Sequence, residues 1–226
     1  MRIAVLGTGM VGQALASRLA ELGHDVMIGT RDVAAALART KPDSYGNAGF
    51  GAWHAQHPRI KVGTLREAGA HGEILVNATA GGASLEVLRQ AGADALAGRV
   101  LIDVANPLDF SKGMPPSLSV CNTDSLGEQI QRTFPALKVV KALNTTNASV
   151  MATPTAVGGG DHTLFVCGND PDAKLKVTEL LRSFGWRDVV DAGDITAARG
   201  TEMLLPLWLR LFGAFQTPLF NFKIVR

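Results

Sequence analysis

A run of small and apolar residues, Arg2 to Leu6, stops at Gly7-Thr8-Gly9-Met10-Val11-Gly12 and passes directly into Leu15, Leu19 and Leu22 at helical spacing. Glycines at the first, third and sixth places of such a turn leave little choice of conformation. The first permits a tight turn, the second removes a Cβ where the backbone must approach a ligand, and the third lets the helix pack closely on the strand. A second apolar run, Val26 to Ile28, follows the helix. The opening of the chain therefore reads as a β-α-β unit, whose right-handed crossover commits it to a parallel sheet.

Further runs extend that sheet: Ile74 to Asn77, Val100 to Val104 and Val139 to Leu143, with a short strand near Lys61. Helical spacing recurs between them, in Leu85-Leu88-Ala91 and in Leu126-Ile130-Phe134. The expected fold class is α/β, a doubly wound (Rossmann) mostly parallel sheet over residues 1–151, with a small C-terminal α/β annex over residues 152–226. Gly158 to Gly160 read as a linker, followed by a strand at Leu164 to Cys167, a helix from Pro171 to Phe184, a strand at Asp188 to Val190 and helical Ile195 to Leu211. Leu204, Leu207, Leu211 and Phe215 are expected to pack this last helix onto the core, unless the apolar stretch serves as a partner or dimer surface. Periodicity fades over Lys41 to Pro58, which reads as a flap carrying His54 and His57 as exposed loop histidines.

The glycine turn opens a helix whose first N–H groups and partial positive charge suit a pyrophosphate, which makes a nicotinamide dinucleotide the expected cofactor. At the end of the second strand stand Gly29, Thr30 and Arg31, where a free ribose hydroxyl would call for a carboxylate. Arg31 offers a planar donor fork to a 2′-phosphate and Thr30 adds a hydroxyl, so NADP(H) is expected over NAD(H). Asp32 is expected to cap the helix from Val33. In an open parallel sheet, ligands sit outside the carboxyl ends of the strands. Those ends carry Asn77-Ala78-Thr79, where small residues let a cofactor lie flat, Ala105-Asn106-Pro107, and Asn144-Thr145-Thr146-Asn147. The expected cofactor-binding set is Gly7, Thr8, Gly9, Met10, Val11, Gly12, Thr30, Arg31, Ala78, Thr79, Ala105, Asn106 and Asn144. Asp103 and Lys141, inside strands, read as structural charges.

Composition narrows the field. Lys plus Arg number 22 against 20 for Asp plus Glu, a net charge of +2 that gives no general reason to invoke nucleic acid or an anionic membrane. The N-terminal apolar run lacks a cleavage region, and the Met203 to Phe222 stretch is broken by Pro206, Arg210 and Pro218, so no signal peptide and no membrane span are expected. Neither the two cysteines nor the five histidines fall at metal-ligand or disulfide spacing, which fits a reducing cytoplasm.

With Gly7 to Gly12, Gly29-Thr30-Arg31, Asp103-Val104-Ala105-Asn106-Pro107 and Val140-Lys141-Ala142-Leu143-Asn144-Thr145 in this order, the chain resembles the NADPH-dependent reductases of the deazaflavin coenzyme F420. The resemblance implies hydride transfer between NADP(H) and a deazaflavin or flavin-like ring laid over the nicotinamide, with no protein acid or base as catalytic residue. It places Thr8, Met10 and Val11 at the cofactor loop, Thr30 and Arg31 at the 2′-phosphate, and Ala105, Asn106 and Asn144 on the nicotinamide side. The same pattern also looks like a wider superfamily with metalloreductase domains and imine reductases. Reduction of a small imine or carbonyl would need a proton donor, for which Lys141, Thr145 and Thr79 are the candidates. Reduction of a metal chelate and a non-catalytic NADP(H)-sensing module are the remaining alternatives. A homodimer is left open.

Overall fold

The computed structural model describes residues 1–42, 46 and 48–226. The strands among the described residues are β1 (Arg2–Leu6), β2 (Asp25–Thr30), β3 (Lys61–Thr64), β4 (Ile74–Asn77), β5 (Val100–Asp103), β6 (Leu108–Asp109), β7 (Ser117–Leu118), β8 (Lys138–Ala142), β9 (Thr163–Gly168) and β10 (Asp188–Asp191). Helices are α1 (Met10–Glu21), α2 (Val33–Ala38), α3 (Phe50–Ala55), α4 (Leu65–His71), α5 (Ser84–Ala91), α6 (Ala93–Leu96), α7 (Leu126–Thr133), α8 (Ala148–Ala152), α9 (Pro171–Phe184) and α10 (Ala198–Phe215).

Eight strands form one sheet in the order β10-β9-β8-β5-β4-β1-β2-β3, and β6 pairs with β7 in a separate two-stranded ribbon. Every pairing in the large sheet is parallel except β8 with β9. The doubly wound architecture is as expected. The strands β4, β5 and β8 are buried almost throughout because helices cover both faces of the sheet, and one core lies on each side. Chain direction across the sheet reverses between β1 and β4, and the carboxyl ends of these two strands flank the crevice where such sheets take ligands. Beyond α8 the chain adds β9 and β10 to the same sheet, next to β8.

Four local expectations need correction. The segment read as a flap contains α3, whose Phe50 is buried, while residues 43–45 and 47 lie outside the described residues. His54 and His57 are half-buried rather than exposed, because their rings bond the carbonyls of Ile60 and Trp53 and stack on Phe50 and Trp53. Gly158 to Gly160 form one helical turn with φ of 51°, 61° and 88° rather than a loose linker, ending beside the buried His162. In α10 the buried stripe runs through Ala198, Thr201, Glu202, Leu205 and Trp208. Leu207 and Phe215, expected to pack inward, are about half exposed at 49% and 55%. Leu207 lies about 180° around α10 from Ala198, on the face away from that stripe, and Phe215 sits in the last turn, beyond its final buried residue.

Candidate functional site

The glycine turn is built as its spacing demands. Gly7 has φ +123°, and a Cβ there would lie 2.4 Å from the Ala78 carbonyl oxygen, so β1 and β4 close on each other only through glycine. A Cβ on Gly12 would lie 2.2 Å from the Gly7 carbonyl oxygen. Gly9 differs: its φ is an ordinary −78°, and a Cβ would meet nothing within 4 Å. Its missing side chain therefore leaves open space in front of α1, whose N-terminus has no side-chain cap. The first-turn N–H groups of α1 face that space and suit an anion. Val11 turns its side chain into the core and Met10 is about half exposed, so the loop offers backbone and small atoms.

A groove runs from this turn along the end of β2. One cavity of about 240 Å³ is lined by Gly7, Thr8, Gly9, Gly29, Thr30, Arg31 and, from the β4 side, Ala78 and Thr79. A contiguous one of about 420 Å³ lies between Thr8, Thr30, Arg31, Asp32 and the small residues Ala35 and Ala36 of α2. Asp32 caps α2 as expected, its Oδ1 accepting from the Ala35 N–H at 2.9 Å. One lining residue was not anticipated: Arg39, at the far end of α2, donates from Nη2 to Thr8 Oγ1 at 2.6 Å. In sequence it is one more surface arginine. Only the path of α2 back across the groove brings it to the glycine turn.

On the other side of the crevice, β5 and β8 end in Ala105-Asn106 and Leu143-Asn144. Their two amides interlock. Asn106 Nδ2 donates to the Asn144 carbonyl at 2.8 Å, and Asn144 Nδ2 donates to Asn106 Oδ1 at 3.0 Å. Leu143 holds φ +65°, which for a branched side chain costs roughly 1–2 kcal/mol and turns the chain sharply out of β8. Thr79 donates its hydroxyl to Asn77 Oδ1 at 2.7 Å, which ties that side chain to the end of β4.

Beneath this rim lies a buried polar chain. Asn77 Nδ2 donates to both Ser84 Oγ (2.9 Å) and Asp103 Oδ1 (2.8 Å). Lys141 Nζ lies 2.8 Å from Asp103 Oδ2, 2.5 Å from the Ala105 carbonyl and 2.7 Å from Glu202 Oε1. Glu202, from α10, also accepts the Leu126 and Gly127 N–H groups at the start of α7. One ammonium and two carboxylates leave an excess negative charge, offset by the positive end of α7. Burial pulls the Lys141 ammonium down, but the Asp103 and Glu202 carboxylates outweigh it and raise its pKa above the ordinary lysine value. Asp103 and Lys141 are structural charges, as expected. Glu202 had only one sequence signal, a charge on the buried stripe of an amphipathic helix. Lys141 and Thr79, two of the candidate proton donors, are engaged with protein oxygens; Thr145 is buried. Among the described residues no group of side chains could hold a metal ion, and no helix is long and apolar enough to cross a membrane.

Residues 2–107, the N-terminal part that carries the glycine turn and Asn106, match the family model described as NADP oxidoreductase, coenzyme F420-dependent. Over its whole length the chain is 57% identical to a crystallised protein of Arthrobacter sp. FB24, provisionally named an F420-dependent NADP reductase, with a TM-score of 0.96 and 100% of both chains covered. The chain belongs to the coenzyme F420-dependent NADP oxidoreductase family. Its relatives include the F420-dependent NADP reductase of Methanocaldococcus jannaschii, 27% identical over 93% of this chain and 92% of that protein. Metalloreductase STEAP3 of Rattus norvegicus is 30% identical over 92% of this chain, which spans only 38% of the length of that relative. Membership of the family makes the chain an NADP-dependent oxidoreductase of Rossmann fold, in agreement with the sequence reading.

Proposed function

We propose that this oxidoreductase holds NADP(H) along the carboxyl edge of its sheet and transfers hydride between it and the deazaflavin ring of coenzyme F420. The observation that carries the reading is the open space at Gly9 in front of the uncapped α1, continuous with a groove that ends at Thr30 and Arg31. The residues present fit the group: an anion seat without a cap, a cleft floored by glycines, and a guanidinium where a ribose-binding carboxylate would otherwise stand.

In this reading the backbone of Gly7 to Gly12 and the Thr8 hydroxyl receive the pyrophosphate, and Met10 and Val11 contribute main chain. Thr30 and Arg31 take the 2′-phosphate. Ala78 and Thr79 floor the cleft, and Ala105, Asn106 and Asn144 form the wall beside the nicotinamide. The bound dinucleotide supplies the hydride. The protein supplies position: the interlocked amides of Asn106 and Asn144, pinned from below by Lys141 on the Ala105 carbonyl, hold that wall rigid, and holding both rings at reacting distance makes the transfer effectively unimolecular. No side chain of the rim is required as acid or base. That Lys141 is buried and bonded to three oxygens weighs against imine or carbonyl reduction with lysine as proton donor.

The test mixes purified protein, NADPH and oxidised F420 and follows the nicotinamide and deazaflavin absorbances together. Equal and simultaneous loss of both is the expected result, and consumption of NADPH by a flavin, ferric chelate or cyclic imine but not by F420 would reject the acceptor. With two cysteines at no disulfide spacing in the sequence, we place the protein in a reducing cytoplasm.

A further inference from the structure

We infer that Arg39 is a second phosphate-binding and specificity-determining residue, held in readiness by Thr8, and that it shares the 2′-phosphate of NADP(H) with Arg31. The inference rests on the NADP(H) reading above and extends it to residues that neither the glycine pattern nor the strand-end rule identifies.

The geometry of α2 is the starting point. Arg31 precedes this six-residue helix and Arg39 follows it, so the helix separates them by about 9 Å of axial rise. Both nevertheless line one cavity, because the face of α2 between them carries only Ala35 and Ala36. Two guanidinium groups therefore approach the same space from opposite ends. The rest of the lining favours an anion. Thr8 and Thr30 add hydroxyls, and the carboxylate of Asp32 accepts the Ala35 N–H within its own helix cap. A phosphate monoester has three outer oxygens and close to two negative charges at neutral pH, which matches two donor forks better than one.

Thr8 adds preorganisation. An arginine side chain loses much rotamer freedom when it is fixed on a ligand. In this chain part of that ordering is already made, since Arg39 Nη2 donates to Thr8 Oγ1 at 2.6 Å. Guanidinium has five N–H donors, so the bond to Thr8 leaves others for a phosphate, while the Thr8 hydroxyl keeps its own proton to donate. Arg39 borders a second cavity over Gly9 and Met10 as well, but the space it shares with Thr30 and Arg31 lies at the end of β2, the place of the adenosine ribose in this fold, and this assigns it to the 2′-phosphate rather than the pyrophosphate.

Isothermal titration of the wild type, Arg39→Ala, Thr8→Ala and Thr8→Ser with NADPH, NADH, adenosine 2′,5′-bisphosphate and adenosine 5′-phosphate tests this. Arg39→Ala should weaken NADPH and the 2′,5′-bisphosphate by about 10- to 100-fold, the range of a charge-assisted hydrogen bond, and change NADH and adenosine 5′-phosphate by less than about threefold. Thr8→Ala, which also takes the hydroxyl from the pyrophosphate, should weaken NADPH and the 2′,5′-bisphosphate by a larger factor than NADH and adenosine 5′-phosphate, and Thr8→Ser should restore all four. Binding of NADH serves as the check that each variant is folded. An Arg39→Ala chain that binds NADPH as the wild type does, or that loses NADPH and NADH by the same factor, would overturn the assignment while leaving the NADP(H) reading intact. A wild-type chain that binds NADPH no better than NADH would overturn both.

Discussion

Lys141, in the middle of the sheet, and Glu202, on the C-terminal helix, form a fully buried ion pair at 2.7 Å, and the same carboxylate caps the N-terminus of α7. The neighbouring elements α7 and β8 and the sequence-distant α10 thus share one charge cluster directly under the Ala105-Asn106 rim. A buried pair adds little over a well-packed apolar replacement of both partners, but removing one partner strands the others without water. Lys141→Met should therefore destabilise the protein by about 3–5 kcal/mol, since it leaves Asp103 and Glu202 facing each other. Urea unfolding measures the loss; a change under about 1 kcal/mol would show that the cluster contributes nothing of this kind.

The cluster also sets an alkaline limit. The pKa of Lys141 is raised in the folded state, so its contribution is complete below the unfolded value of about 10.4 and is lost as pH rises through the higher folded value. Thermal melts of the wild type should fall above roughly pH 10 more steeply than those of a Lys141→Met/Asp103→Asn/Glu202→Gln triple variant. Parallel curves would contradict it.

Acid stability has a different source. Asp124, just before the Ser125 cap of α7, receives both Nη atoms of Arg132 at 2.9 Å, and this side-chain bonding lowers its pKa to about 2. A lowered carboxylate pKa contributes stability above its unfolded value of about 3.9 and loses it as pH falls toward 2. The pair is partly exposed, so solvent screening holds its worth to about 1 kcal/mol. Asp124→Asn should lower stability by about that amount at pH 6 and by clearly less near pH 2, where the carboxyl is half protonated in the folded protein, as denaturant titrations at the two pH values would register.

The glycines separate binding from folding. Gly9→Ala places its methyl group in open space, so stability should change by less than about 0.5 kcal/mol while NADPH affinity falls at least about tenfold. Gly12→Ala drives the same methyl to 2.2 Å from the Gly7 carbonyl oxygen, so the fold itself should weaken by several kcal/mol. Melting temperature and calorimetric Kd for both variants give the comparison; a Gly9→Ala chain with unchanged NADPH affinity would remove the pyrophosphate from this turn.

Arg31→Ala should raise the Michaelis constant for NADPH by about 10- to 100-fold and leave that for NADH nearly unchanged. Steady-state kinetics with both coenzymes decide it, and equal losses would place Arg31 outside the 2′-phosphate site.

Much of this was readable before any coordinates, for reasons that differ by region. Arg2 to Leu6 and Ile74 to Asn77 declare themselves because apolar strands buried on both faces have no other composition open to them. The helix from Pro171 to Phe184 announces both ends, with Asp170 and Pro171 at its start and Gly185, at φ +110°, at its finish. Asp32 as a cap is equally local. Where reading failed, hydrophobic periodicity carried too little signal. The 41–58 stretch has no clear period, yet Phe50 anchors a short helix because His54 and His57 find carbonyls in the same neighbourhood. The α10 face was misplaced because leucine is abundant all around that helix, and hydrophobicity alone does not choose its register.

The amino-acid sequence by itself determined the β-α-β opening, the glycine turn and the order of strands and helices, because sterics at Gly7 and periodicity along a strand or helix act over a few residues. Tertiary structure decided that Asn106 interlocks with Asn144, that Glu202 closes the circuit of Lys141 and Asp103, and that Arg39 crosses α2 to reach Thr8. Such pairings depend on which ends of which strands the sheet order brings side by side, and a buried or shared charge settles on whatever partner that topology places within hydrogen-bond distance.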